Sequence, residues 1–347
     1  MNERVCVSLL SKLVLCIFEC YARHITSAIL VLLLGVFPVI PASAQDAAAA
    51  QRTLCVLVPH FKDDYWLSVA FGLEQEAERQ NVDLILFEAG GYQALDAQIE
   101  QIKACADMTL AGILLGAVSS DHPDLLSTLS QAAKSKRLFG LVNELHSDAL
   151  SGRIGVDWRD MGRSLGRHLA TRFPKGSQAK KAVLISGPKV SGWAAPLETG
   201  LRDALADSAV EVVQVYGADT GLRQQLDLVQ IALRDHPDID LLIGSAPAIE
   251  AAMGIASTHP DAEKWPLLFS TYVNHNTKRG LLNGSVAAAP FDDPAQQGIL
   301  AIRQAIAALD DADHQSSIGP PITLLEQGRD EVLDILVSPP GYFPELN

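Results

Sequence analysis

The residues of this sequence best placed to do chemistry are aromatic, and they stand at the ends of candidate strands. Tyr65 and Trp66 follow the apolar run Leu54–Val58, Tyr92 follows Asp83–Phe87, and Tyr272 follows Leu267–Thr271. Trp158 opens a helical stretch just after Gly155-Val156-Asp157. Aromatic residues make up only 6% of the 347 positions, yet five of the ten Tyr and Trp fall at these points. In open α/β sheets ligands bind beyond the carboxyl ends of the strands, so side chains at those ends converge on one cleft. A box of ring faces attracts a methylated ammonium, by about 0.5–1 kcal/mol when exposed and about 2 or more when desolvated. For any one ring the competing reading is a plug in the core of a lobe; five together point to a site.

Other chemistries lack their parts. An enzyme needs a nucleophile with a base, a metal cluster or a cofactor loop. His60 and His275 lie near the aromatic positions but have no nucleophile beside them and read as solvated or loop-packing residues. Gly90-Gly91 lacks the spacing of a dinucleotide or phosphate loop. Asp63 and Asp64 supply too few ligands for calcium; Asp64 reads as a helix cap, and Asp63 as a group that reaches a water on the ligand oxygen. Trp193 sits on a loop facing the cleft, where loop packing, a partner surface and ligand contact are equally open, and Trp265 reads as core. No cysteine pair has CxxC spacing. The expectation is a protein with no catalytic residue, no metal and no cofactor. A net charge of −14 also argues against nucleic acid, which needs a basic face.

Elements that could position such a site alternate along the chain. Strands are expected at Leu54–Val58, Asp83–Phe87, Gly112–Gly116, Leu138–Val142, Ala182–Ser186, Glu211–Val215, Leu241–Ser245, Leu267–Thr271 and Ser285–Ala289. Helices are expected at Trp66–Gln80, Ala94–Ala106, Arg159–Arg172, Arg223–His236 and Pro294–Leu309. This is the cadence of parallel sheets with crossover helices. Four strands before Asn143 and five after Ala182 suit two similar lobes better than one sheet. The expected division is residues 45–154 with 290–320 in lobe I, 155–289 with 321–330 in lobe II, and a C-terminal tail over 331–347.

Residues 1–44 read as an export signal on an over-long N-terminus: an apolar run from Ala28 to Ile40, after Arg23 and His24, ends in Ala42-Ser43-Ala44. Cleavage there predicts a periplasmic protein with no membrane insertion of its own, and leaves only Cys55 and Cys105. In an exported chain these two are either a disulfide or two buried thiols.

Over nearly its whole length beyond the signal, the sequence resembles the ribose-binding, LacI-like periplasmic binding proteins. Tyr65-Trp66 after the first strand and Arg153-Ile154-Gly155-Val156-Asp157 with Met161-Gly162 at the first crossing carry the match. The resemblance implies a type I periplasmic binding protein: two doubly wound parallel-sheet α/β lobes joined by a multi-crossover hinge. The slots that hold sugar hydroxyls in that family are altered. They read Asn143-Glu144, Trp158, Ala195 or Pro196, Ala246 or Pro247, Tyr272, and an alanine near Ala289. Each hydroxyl left without a partner costs about 1–3 kcal/mol, which disfavours a sugar.

A narrower resemblance runs through Asp64-Tyr65-Trp66-Leu67-Ser68, Glu88-Ala89-Gly90-Gly91-Tyr92, Leu141-Val142-Asn143, Gly155-Val156-Asp157-Trp158, Ala251-Ala252-Met253-Gly254 and Ser338-Pro339-Pro340-Gly341-Tyr342-Phe343. These are similar to the branch of the family that senses trimethylamine N-oxide. That resemblance implies an aromatic cage of Tyr65, Trp66, Tyr92, Trp158 and Tyr272, with Asp63 and Asn143 as secondary contacts. It further implies trimethylamine N-oxide as ligand and, as partner, the periplasmic sensor domain of a membrane histidine kinase that induces anaerobic N-oxide respiration. The alternative is a solute-binding protein of a sugar or methylamine ABC transporter.

Overall fold

The computed structural model describes residues 53–259 and 265–347; the expected signal over 1–44 and the leader after it lie outside them. In chain order the strands are β1 (Thr53–Val58), β2 (Asp83–Glu88), β3 (Gly112–Leu115), β4 (Arg137–Leu141), β5 (Gly152–Ile154), β6 (Lys180–Ser186), β7 (Val210–Gly217), β8 (Leu241–Gly244), β9 (Leu267–Ser270), β10 (Ala288–Phe291), β11 (Ser317–Ile318) and β12 (Thr323–Glu326). They form two six-stranded sheets, ordered β11-β5-β4-β3-β1-β2 and β12-β10-β9-β8-β6-β7. All pairings are parallel except β10 with β12. The strands can be parallel because helices cover both faces, so β1, β3 and β8 are nearly continuous apolar runs with no polar side.

The helices are α1 (Asp64–Gln80), α2 (Leu95–Asp107), α3 (Pro123–Ala132), α4 (Trp158–Arg172), α5 (Ala194–Leu205), α6 (Leu222–Asp235), α7 (Ala246–Thr258), α8 (His275–Asn283), α9 (Pro294–Leu309) and α10 (Glu331–Asp334). Several start on a polar side chain that accepts the first free backbone N–H groups. Asp63 caps α1 through the Tyr65 N–H, Asp157 caps α4 through Arg159, and Asn274 caps α8 through Asn276 and Thr277. Asp64, expected as the cap of α1, is instead its first residue: the extended backbone needed at a cap occurs one position earlier, at Asp63.

The chain passes between sheets three times, after Ile154, after Phe291 and after Ile318. Gly155 and Gly319 let two of these crossings touch backbone to backbone. A Cβ on Gly319 would run into the Gly155 carbonyl, and one on Gly155 would come within 2.9 Å of the Val142 oxygen.

Most strand ends fall within two residues of expectation, and two shifts bear on the fold. The fourth strand stops at Leu141 because Val142 turns into left-handed backbone (φ 64°). The strand expected at Ser285–Ala289 runs Ala288–Phe291. The short strands β5, β11 and β12 carry no alternation to reveal them. Trp265, expected in the core, is half-buried ahead of β9, and its indole N–H has no partner among the described residues.

Cys55 in β1 and Cys105 in α2 form a disulfide with Cα atoms 6.2 Å apart, inside the apolar layer under the first sheet. Closing a loop of 50 residues is worth about 4 kcal/mol on the chain-entropy estimate. Protein purified without reductant should therefore show no alkylatable thiol by intact mass, and reduction should lower the urea midpoint. Two labelled cysteines would contradict the bridge.

Candidate functional site

Four rings enclose a cavity between the two sheets. Tyr65 comes from the first turn of α1, Trp158 from the first residue of α4, Trp193 from the loop before α5, and Tyr272 from the turn after β9. Their centroids are 5.4 Å apart for Tyr65–Tyr272, 5.6 Å for Trp158–Trp193, 5.7 Å for Trp193–Tyr272, and 6.4 Å for both Tyr65–Trp158 and Trp158–Tyr272. Trp66 stands edge-on to Tyr65 at 6.1 Å and lines the cavity too. About 260 Å3 not filled by atoms, part of it open to solvent, lies among these rings, and Asp63, Tyr92, Val142, Asn143 and Thr220 also line it.

All five expected cage residues and both secondary candidates thus meet at one place, and each is at most 5% exposed. Trp193 joins the lining as well. Sequence reading missed Thr220, Asn274, Asp292 and Gln297, because polar residues one to several places beyond a strand carry no periodic signal.

The polar atoms of the rings are tied down at the periphery. Tyr272 donates to Asp63 Oδ2 (2.5 Å), and Asn274 Nδ2 and the Tyr65 N–H donate to Asp63 Oδ1 (3.2 and 3.1 Å). Tyr65 donates to Asp292 Oδ2 (2.7 Å), while Gln297 Nε2 donates to the Tyr65 oxygen (3.1 Å) and to Asp292 Oδ2 (2.8 Å). Trp158 Nε1 donates to the Val142 carbonyl at 3.0 Å. That carbonyl is aimed by the left-handed Val142, a conformation costly for a β-branched residue and held here by its N–H bond to Ile154 O (2.7 Å).

Tyr92 differs from the other two phenols. Its oxygen takes Asn143 Nδ2 at 3.3 Å and faces the indole N–H groups of Trp66 and Trp193. Among the described residues nothing accepts its own hydrogen. Burial first, and then nearby carboxylates, hold all three phenols protonated, far above their ordinary range. The Asn143 Oδ1 atom is likewise buried without a partner.

Burial raises the Asp63 carboxyl, with the Tyr272 and Tyr65 hydrogen bonds working the other way. Burial also pushes Asp292 up to about 6, against the donors Tyr65 and Gln297. Among the described residues no three His, Cys, Asp or Glu side chains come together to hold a metal. No described helix is long and apolar enough to cross a membrane.

A family model described as periplasmic binding proteins and sugar binding domain of LacI family matches residues 51–274. The periplasmic protein TorT of Escherichia coli K12 is 35% identical over 308 residues, covering 88% of this chain and 87% of its own length. Crystal structures of the TorS sensor domain–TorT complex, one without ligand and one in the presence of TMAO (trimethylamine N-oxide), superpose with a TM-score of 0.75. They share 34% identity over 86% of this chain and 100% of theirs. An ABC transporter solute-binding protein from a Bradyrhizobium species, with bound bis-tris, gives a TM-score of 0.70 at 32% identity, over 85% of this chain and 89% of its own.

Asp292 makes the site's electrostatics testable. A folded pKa near 6 against 3.8 unfolded means that the native state keeps a proton which the unfolded chain loses between about pH 4 and 6. The group therefore costs stability as pH rises through that window, by about 3 kcal/mol once both states are ionised. Asp292→Asn should match the wild type near pH 4 and gain on it up to pH 7 in urea unfolding. A difference that stays flat over that range would contradict the assignment.

Proposed function

The chain belongs to the periplasmic binding proteins and sugar-binding domains of the LacI family, and from that premise we propose that it binds trimethylamine N-oxide in the aromatic cavity and reports occupancy to the sensor domain of a TorS-like membrane histidine kinase. It is a periplasmic binding protein and not an enzyme: the ligand leaves unchanged. Its relative TorT supports the choice of ligand and partner, through the complex with the TorS sensor domain solved in the presence of TMAO.

The observation that carries the reading is the pairing of ring faces with one unused phenol hydrogen. Tyr65, Trp158, Trp193 and Tyr272 turn ring surface toward the cavity, and the Tyr65, Trp158 and Tyr272 polar atoms are already taken up by Asp292, the Val142 carbonyl and Asp63, which suits methyl groups on a positive nitrogen. The N-oxide oxygen is an acceptor, and Tyr92 holds an O–H for it. Trp66 and Asn143 serve by fixing the Tyr92 oxygen. Asp63 contributes a buried carboxyl on the ammonium side. A pyranose is disfavoured, because beyond the phenols and indoles the polar lining is only Asp63, Asn143 and Thr220, and Asp63 is already occupied by three donors.

The ligand's size limits what it can do alone. Five non-hydrogen atoms at a ceiling of about −1.5 kcal/mol each give roughly −7.5 kcal/mol, a Kd no tighter than a few micromolar. Driving a hinge from 1:99 to 99:1 needs about 5.5 kcal/mol of differential affinity. The sensor domain therefore shares the work by favouring one closure, and linkage makes the ligand bind tighter in the complex. The Bradyrhizobium transport protein favours a second reading, delivery of a small amine to an ABC transporter.

Calorimetry decides between these readings. The wild type should bind trimethylamine N-oxide at micromolar or weaker Kd and ignore ribose. Trp158→Ala should weaken binding tenfold or more, and Trp265→Ala should leave it alone. Tyr92→Phe should weaken the N-oxide but spare tetramethylammonium, which has no oxygen. The sensor domain should tighten the Kd; an unchanged Kd favours the transport reading. Equal losses at Trp158 and Trp265 would contradict the cage.

A further inference from the structure

Outside the cage, a second cluster joins the lobes at its rim. His60 follows β1 in the first sheet and is fully buried; Asp219 and Thr220 follow β7 in the second sheet. The Lys62 N–H donates to His60 Nδ1 (3.2 Å), so the imidazole proton sits on Nε2. That nitrogen faces Thr220 Oγ1 at 3.0 Å and Asp219 Oδ1 at 3.2 Å, both from the opposite lobe. The His60 ring also stands edge-on to Tyr92, centroids 5.5 Å apart at 86°.

Asp219 reaches further into the first lobe. Its Oδ1 accepts the Tyr92 backbone N–H at 3.5 Å, and its Oδ2 lies 3.9 Å from Lys62 Nζ. Oδ2 also occupies the place a Cβ would take on Gly91, whose φ of 146° already favours glycine. Only a bare backbone before Tyr92 lets the carboxylate of the other lobe come this close. Burial alone would raise the Asp219 carboxyl, but His60, the Tyr92 N–H and Lys62 hold it below its ordinary range, as expected of an ionised acceptor.

We propose that Asp219 is a positioning residue that latches the lobes shut through His60 and, in doing so, sets Tyr92 for the ligand oxygen. The proposal rests on the binding reading above for the role of Tyr92, and it adds the route by which closure reaches the site. When the lobes part, His60 loses both acceptors and the Gly90-Gly91-Tyr92 turn loses the carboxylate on its N–H. The Tyr92 donor is then no longer held in register with the rings that come from the second lobe, Trp158, Trp193 and Tyr272. Ligand affinity and lobe closure are in this way coupled by a residue that does not line the cavity.

The test uses the full-length exported protein, with trimethylamine N-oxide as the probe. Small-angle scattering without ligand should give a larger radius of gyration for Asp219→Ala than for the wild type, with Asp219→Asn between them, because the amide keeps an acceptor oxygen but no charge. Calorimetry should show at least a tenfold weaker Kd for Asp219→Ala. In a Tyr92→Phe background, Asp219→Ala should add little further loss, since both act on the same donor. Unchanged scattering in Asp219→Ala would overturn the latch, and losses that simply multiply in the double variant would overturn its action through Tyr92. If the wild type takes up no N-oxide, the binding reading fails, and the scattering comparison still decides the latch.

Discussion

The Asp63 carboxyl, buried where the two lobes meet, is satisfied by donors from both of them. One is the N–H of Tyr65 in its own helix turn; the others, Tyr272 Oη and Asn274 Nδ2, come from the turn after β9 in the second sheet. A buried carboxylate stripped of partners costs several kcal/mol. Parting the lobes removes two of the three donors, and water must replace them. The same bonds that make closure acceptable also fix the Tyr272 ring, against which Tyr65, Trp158 and Trp193 are packed. Capping, closure and the walls of the cavity are one arrangement around one side chain.

The remaining rings follow the same plan. The protein also engages the polar atoms of Tyr65, through Asp292 and Gln297, and of Trp158, through the Val142 carbonyl. What faces inward is mostly ring surface with its quadrupole, with the Tyr92 hydroxyl, Asp63, Asn143 and Thr220 as the polar part of the lining. Backbone strain at Val142, on the order of 1–3 kcal/mol for a left-handed non-glycine residue, is retained because its N–H and carbonyl are both bonded there. A site that must distinguish a compact onium from water gains from such rigidity, since every hydrogen bond left to adjust would be one the ligand has to order.

Much of this is legible in the sequence because parallel strands declare themselves as apolar runs and their carboxyl ends mark the cleft. Tyr65, Trp66, Tyr92 and Tyr272 could be brought together on that rule, while Trp158 follows a strand too short to declare itself and is placed by the crossing segment before it. What stayed hidden has common physical causes. Asp292, Gln297 and Asn274 are polar residues whose role depends on a partner more than a hundred positions away. His60 reads as a solvated histidine until the second lobe covers it. The capping site moved from Asp64 to Asp63 because two adjacent aspartates are equivalent in composition and only the backbone angle tells them apart. Trp265 sits beside a strand yet outside the packed layers, a difference that no local pattern encodes.

The central claim is that ring faces surround the methyl groups of the ligand, and the proton resonance of those methyls reports it directly. In a solution NMR titration of trimethylamine N-oxide with the protein, ring currents from Tyr65, Trp158, Trp193 and Tyr272 should move the bound methyl signal upfield. A bound signal that is unshifted or moves downfield would place the methyls away from the ring faces and contradict the account.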